Sequence, residues 1–468
     1  AGITGLSAGG EQTFTATGSI SAGAPVGITL SGTISTLLAD RDVPQQLKWG
    51  SNASQTPEKT AVAYNTSANK IMVFGSGASN RTSANSIAVN GANYTIGTAS
   101  SEVDSGTSFP NLVYDAASNK CVAKVASSNN IRSSVVTLSG TTTSRGSETT
   151  FQGYSAMMVG AGSNRVFIYY RNNASNRYLS GRIGTISGTS ISFGSEVIIE
   201  SMNASSDSHS SAVYEPNSGK IVMMYYNLAS SGIFTAKVGT ISGTSISFGS
   251  AYTNGNINQT ESARFTSFAN TNLNTIVVGV NSTTANVYRG FNALVGTISG
   301  TNISFGAITN IQDTSAESIN SAFNTSDNTG YLNYTSRIAV LKFSGTTSVV
   351  SKIVNNTGSV GAVNSENLIY DPDINRIIQV SASNPSSTFS RYDATTANWV
   401  GLAKENISNG ATGKVTVVGG INTNQSGLVA GTSYGLSNTV TVLTPNKGTI
   451  VGSALSASSI YLSKGTIE

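Results

Sequence analysis

The twelve residues GTISGTSISFGS stand at Gly184–Ser195 and again, unchanged, at Gly239–Ser250, and a third version, GTISGTNISFG, begins at Gly296. Copying this regular ties distant parts of the chain to one local geometry. Within each copy apolar Ile and Phe alternate with Ser and Thr on either side of a central SGTS or SGTN, the pattern of two half-buried strands joined by a tight turn. The unit is a β-hairpin, and Gly and Ser supply the backbone freedom its turn needs.

A second signature recurs independently of the first. It is an apolar-alternating strand ending in Tyr or Phe, then a polar turn centred on Asn, then Lys or Arg and another apolar strand. VAYNTSANKIMVF carries it at Tyr64, LVYDAASNKCVAKV at Tyr114, MMVGAGSNRVFIYY near Val159 and AVYEPNSGKIVMMYY at Tyr214. SFANTNLNTIVVGV follows at Phe268, AFNTSDNTGYLNY at Phe323 and LIYDPDINRIIQV at Tyr370.

The marks recur about every fifty residues, a period shared by helical solenoids and propeller blades, and the content of the period decides between them. Every segment alternates with period two, no stretch holds a helical apolar face, and Asn/Gly turns interrupt the chain at short intervals. Two hairpins per period make a four-stranded antiparallel sheet, one blade of a β-propeller. The expected fold is all-β: a propeller of seven four-stranded blades over residues 60–396. The Asn-Lys turns then join the first two strands of each blade, and the copied hairpins form the outer pair.

The ends of the chain resemble each other instead. AGAPVGITLSGTIS near the start matches AGTSYGLSNTVTVL near the end, and NWVGLAKENI matches TIVGSALSASSI. Two copies of a small β module explain this, the second contiguous and the first interrupted by the propeller. Residues 1–59 and 397–468 then form the modules, with the N-terminal strands beside residues 398–420. Alternatively, GITLSGTIS closes the ring as an outer strand of the last blade.

Only 10% of the 468 residues are charged, and the formal net charge of +4 is spread without a Lys/Arg cluster, so nucleic acid is not an expected partner. The single cysteine, Cys121 in KCVAKV, excludes an intrachain disulfide and reads as a buried strand position. No apolar run is long enough for a membrane helix, and AGITGLSAGG lacks the basic and hydrophobic regions of a signal peptide, so the chain reads as soluble and made in a cytoplasm.

FTATGSISAGAPVGITLSGTIS, WVGLAKENISNGATGKVTVVGGINTNQSGLVAGTSYGLS and the ending VGSALSASSIYL resemble tail-fibre and related virion structural proteins of marine bacteriophages. The resemblance implies a virion protein made in the host cytoplasm. Its partners would be other virion proteins and a host-surface glycan or protein, and it would be a homo-oligomer, a trimer by analogy with fibres. The sequence departs from many fibres in having no coiled-coil heptads and no collagen-like shaft.

Chemistry is sparse. The one histidine, His209, lies in the Ser-rich stretch SSDSHSSAVY with no nucleophile elbow beside it. Asp115, Glu215 and Asp371 occupy one repeated turn position and read as turn formers capping their own backbone, not as a converging acid pair. No catalytic residue, metal site or cofactor is expected. Binding is easier to support, since loops at one end of a rigid ring tolerate variation, aromatic rings stack on sugars and amides bond hydroxyls. Tyr154, His209, Arg264 and Tyr331 precede or begin blade strands and are the candidate ligand residues, although Tyr154 and Tyr331 also suit packing between blades. The function expected is non-covalent, multivalent adhesion to a host surface. The alternatives are a purely structural virion protein and a secreted lectin or sugar-cleaving propeller.

Overall fold

The structure is a computed structural model that describes residues 10–28, 33–36, 45–46, 59–76, 81–90, 93–100, 103–104, 110–127, 129–173, 178–201, 210–227, 230, 232–258, 265–282, 289–313, 320–334, 337–355, 366–372, 376–381, 388–393, 398–437, 440–445 and 449–463. The chain divides into two compact units: Gln45–Ile369 with Gln379–Phe389, and Ala1–Pro44 with Tyr370–Ile378 and Ser390–Glu468. The first holds a β-propeller and the second a pair of β modules.

Among the described residues seven antiparallel sheets succeed one another along the propeller. Their first strands are Lys59–Asn65, Asn111–Asp115, Tyr154–Gly160, Ser210–Glu215, Phe265–Asn270, Asn320–Asn324 and Glu366–Asp371, so each Tyr, Phe or Val mark of the sequence falls on one. The third blade shows the pattern. Tyr154–Gly160 pairs with Arg165–Arg171, which pairs with the long third strand Leu179–Ser187. That strand pairs along one half with Ser190–Phe193 and along the other with Val197–Glu200, so the outer strand is split.

Second strands such as Lys220–Asn227, KIVMMYYN, are apolar between their ends, here from Ile221 to Tyr226, because both faces are covered. Val222, Met224 and Tyr226 pack with Ile276, Val278 and Val280 of the next blade. Ile221, Met223 and Tyr225 pack with Phe167, Tyr169 and Ile183 of the preceding one. The core is therefore a series of slabs between blades. Asn367 of the seventh sheet donates from Nδ2 to the Thr60 carbonyl of the first at 2.7 Å. The outer strand of the seventh sheet is Gln45–Gln46, paired with Thr388 and Phe389. An N-terminal strand does complete the last blade, but GITLSGTIS is not that strand.

The copied motif owes each glycine to a separate requirement of backbone or space. Gly188, Gly243 and Gly300 adopt φ of +56°, +58° and +63° at the hairpin turn, a region that costs other L-residues energy. Gly184, Gly239 and Gly296 leave room for the rings of Phe193, Phe248 and Phe305, which lie 2.8–3.0 Å from where a β-carbon would stand. Gly194, Gly249 and Gly306 meet the next blade: a β-carbon there would lie 2.1 Å from the Thr244 carbonyl oxygen, 2.2 Å from that of Thr301 and 2.1 Å from that of Thr346. Gly97 and Gly146 repeat this against Thr141 and Thr189 at 2.0 and 1.9 Å. The threonines belong to the hairpin turns themselves, so each copy offers a groove to one neighbour and a turn to the other.

The second signature also reaches between blades. Lys70 Nζ donates to the Gly140 carbonyl and Lys120 Nζ to that of Gly188, each 2.7 Å away on the following blade. Asp115 accepts from the amide of Ser118 at 2.8 Å and from that of Asn164 in the next blade at 3.0 Å. Glu215 accepts from the amides of Asn217 and Ser218 at 3.0 and 2.7 Å. These two acids are turn formers; Asp371 is buried, and the centre of its turn lies outside the described residues.

In the second unit, one sheet runs in the order Glu11–Thr15, Thr412–Thr416, Asn398–Ala403, Pro25–Ile28, Ile34–Thr36. The other runs Ile421–Asn422, Ile460–Leu462, Thr449–Ala454, Ser433–Ser437, Val440–Pro445. Numbered by position within each module, both orders are first, fifth, fourth, second, third. Both carry a register shift at the same place, between Val26 and Gly27 and between Tyr434 and Gly435. The modules are duplicates, and the first is split after its third strand.

Candidate functional site

Antiparallel strands place the connections of every blade at two opposite ends. One end holds the short repeated turns. Asn69, Asn119, Asn164, Asn274 and Asn328 sit there in the left-handed region, with the turn glycines beside them. The other end holds the connections from second to third strand and from each blade to the next, and these vary in length and sequence. His209 and Arg264 belong to such connections and lie outside the described residues.

Tyr154 stands at this variable end. A single residue, Gly153, joins Gln152 on the second blade to Tyr154 on the third, and a β-carbon on it would lie 2.6 Å from the Tyr170 ring and 2.7 Å from Ile131. Space for the connection exists only because the residue is glycine. The strand then bulges between Tyr154 and Met157, with Ser155 at φ +53°, a conformation costly for a residue with a side chain.

The bulge turns the half-buried Tyr154 ring toward Arg171, whose guanidinium carbon lies 6.0 Å from the ring centroid. The Tyr154 hydroxyl donates to Asn173 Oδ1 at 3.2 Å, and Asn173 Nδ2 donates to Gln152 Oε1 at 3.0 Å. One aromatic face, one buried guanidinium and two amides thus converge at the seam between blades two and three. Arg171 stands where blade four has the fully buried Tyr226, so the cation marks a local departure from the repeat. That departure, with Asn173 after it, was the signal in the sequence for residues the candidate set omitted.

Beside this cluster Glu196 ties strands of the third blade to one another. Its carboxylate accepts from Tyr170 at 2.8 Å, Asn172 at 2.8 Å and Ser180 at 3.1 Å, and Arg182 lies 3.6 Å away. Burial pushes the carboxyl pKa up, but the hydrogen bonds and the Arg182 charge outweigh it and hold Glu196 below its ordinary value. Glu200 repeats the arrangement toward blade four, accepting from Tyr225 at 2.7 Å and Lys237 at 3.1 Å. Carboxylates held ionised by several donors anchor blades and are poor proton donors.

Tyr331 belongs elsewhere. It lies on a second strand, 1% exposed, its backbone paired with Ala322 and Val340, so it is buried and presents no face to a ligand. Among the described residues no three of His, Cys, Asp and Glu are placed to hold a metal ion. None of their helices is long and apolar enough to cross a membrane.

The fold defines a β-propeller. No family model matches the chain, and no curated protein does. Among solved structures it is similar to the periplasmic gluconolactonase PpgL of Pseudomonas aeruginosa, at 10% identity and a TM-score of 0.49, covering 75% of this chain and 96% of that one. It is also similar to the WD40 domain of Toxoplasma gondii coronin, at 6% identity and a TM-score of 0.49, covering 83% and 91%. AofleA from Arthrobotrys oligospora follows at 12% identity and a TM-score of 0.40, covering 71% and 93%.

Proposed function

We propose that the chain is a non-enzymatic, tail-fibre-like virion protein of a bacteriophage, whose propeller binds a host-surface glycan through its variable end and whose β modules join it to other virion proteins. The observation that carries the binding reading is the seam cluster of Tyr154, Arg171, Asn173 and Gln152. An aromatic face beside amides and a guanidinium suits a sugar ring, stacking on its C–H face and bonding its hydroxyls or an acidic substituent. The neighbouring acids are tied up in blade contacts, which favours binding over acid–base chemistry. The assignment to virus particles rests on the likeness of the terminal segments to fibre proteins.

Two experiments test the proposal. Purified protein on an array of bacterial surface glycans should retain a subset, and Tyr154→Ala with Asn173→Ala should lose that signal while melting at the parent temperature. Antibody labelling of phage particles should place the chain on the virion. An empty array, or binding untouched by the double variant, defeats the glycan site; particles that carry none of the chain defeat the virion assignment.

A further inference from the structure

The two β modules meet in a joint whose first half is formed by the first module and whose second half is the start of the second. Asn422 Nδ2 donates to the carbonyls of Leu402 at 3.4 Å and Ala403 at 3.0 Å and to Thr416 Oγ1 at 3.1 Å. Asn424 Nδ2 donates to the Lys404 carbonyl at 2.5 Å, and Gln425 Nε2 to that of Gly23 at 3.0 Å. Gly420 fits against Gly10, where a β-carbon would lie 2.3 Å from the Gly10 oxygen. Leu402, Ala403, Lys404, Thr416 and Gly23 are therefore the receiving face of the first module, and Thr416 is fully buried there.

Duplication identifies the same face on the second module. Pro25 pairs with Leu402 as Ser433 pairs with Ser453, and Leu402 pairs with Thr416 as Ser453 pairs with Tyr461. The amide of Gly23 donates to the Ala403 carbonyl just as that of Gly431 donates to Ala454, and Ala24 to Ser21 as Thr432 to Val429. Lys404 thus corresponds to Leu455, Thr416 to Tyr461 and Ser21 to Val429. On the second module these three positions are large, apolar and uncovered: Leu455 is 53% exposed, Tyr461 42% and Val429 63%. Polar or buried positions of the first receiving face have become an apolar patch on the second.

We propose that Val429, Leu455 and Tyr461 form a docking face for the leading edge of the first module, around Gln12, in a second copy of this chain. The joint already present in the chain shows how a leading edge fits such a face. Gly10 and Gln12 occupy the register positions of Gly420 and Asn422, since Glu11 pairs with Thr416 as Ile421 pairs with Tyr461. Each chain then carries one leading edge and one receiving face, a heterologous contact that builds a ring or a filament.

Sedimentation equilibrium of the full chain, with concentration raised to about 100 µM, tests this. The average mass should rise with concentration, and both Leu455→Glu with Tyr461→Glu and, separately, Gln12→Glu should hold the chain at monomer mass while leaving its melting temperature unchanged. Mixing the two variants is decisive, because each keeps one intact half: they should form a one-to-one dimer and nothing larger. Association untouched by Leu455→Glu with Tyr461→Glu overturns the proposal, as does a mixture that stays monomeric. A chain that is monomeric throughout and shields Leu455 and Tyr461 from carbene labelling overturns it too, by assigning the face to residues 464–468 of the same chain.

Discussion

Gly194 lies so close to the following blade that a β-carbon on it would stand 2.1 Å from the carbonyl oxygen of Thr244. The obstacle is backbone, so the blades themselves would have to part. Gly194→Ala should therefore cost about 2–3 kcal/mol, the range of overpacked sites. Gly188→Ala, with open space around it but φ of +56°, should cost only about 1 kcal/mol. Chemical denaturation of the two variants checks the order, and equal costs would deny Gly194 its place in the blade contact.

Lys124 is fully buried, and its ammonium donates to the Ala156 carbonyl of the third blade. Burial pulls its pKa from 10.5 down to about 7. Between those values the unfolded chain holds a proton that the folded chain lacks, so Lys124 makes stability rise with pH from about 7 toward 9. Above that, buried Cys121 and the buried tyrosines, their pKa values raised by burial, act in the opposite direction. The slope should approach about 1.4 kcal/mol per pH unit for one proton. Lys124→Met should flatten this rise, as denaturation at pH 7, 8 and 9 would show.

Asp115 serves two blades at once through the amides of Ser118 and Asn164. Asp115→Ala should cost about 1–2 kcal/mol, the loss of a buried cap that leaves donors unpaired. Asp115→Asn keeps one acceptor oxygen and should retain about half of that contribution. Thermal melting of the pair separates a structural acid from a functional one, since neither change should alter ligand binding.

In the proposed binding function, the Tyr154 ring, with buried Arg171 behind it, is the side of the seam offered to a glycan. Tyr154→Phe keeps the ring and loses the hydroxyl that holds Asn173, and should weaken glycan binding about tenfold or less, whereas Tyr154→Ala should abolish it. Titration of a glycan retained on the array measures both. Equal loss in the two variants would put the hydroxyl, not the ring, at the centre of recognition.

The blade rhythm was legible because both of its signals are local. Tyr64, Tyr114 and Tyr214 are the penultimate residues of first strands, and the SGTS turns sit between third and fourth strands. What alternation could not show was the split outer strand: Phe193 ends one half and Val197 begins the next, with Gly194 between them set against Thr244 of the neighbouring blade. The two-residue closing strand Gln45–Gln46 is too short for any periodic signal, so GITLSGTIS offered itself in its place. Tyr331 looked available because it lies at the start of a strand just after a polar turn, yet that turn ends at Asn328 and the strand beyond it is buried on both faces. Arg171 and Asn173 escaped notice because a seam between blades joins residues that no fixed spacing links.

Ring closure tests the account most directly, and it rests on Asn367 reaching Thr60 across 307 positions. Thr60→Cys combined with Asn367→Cys in a Cys121→Ser background, refolded from denaturant in the presence of a short bifunctional thiol cross-linker because position 60 is buried in the fold, should give a monomer with a closed loop of altered gel mobility. Cross-links only between separate chains, or none under conditions that label both new thiols, would contradict a propeller whose first and seventh blades are neighbours.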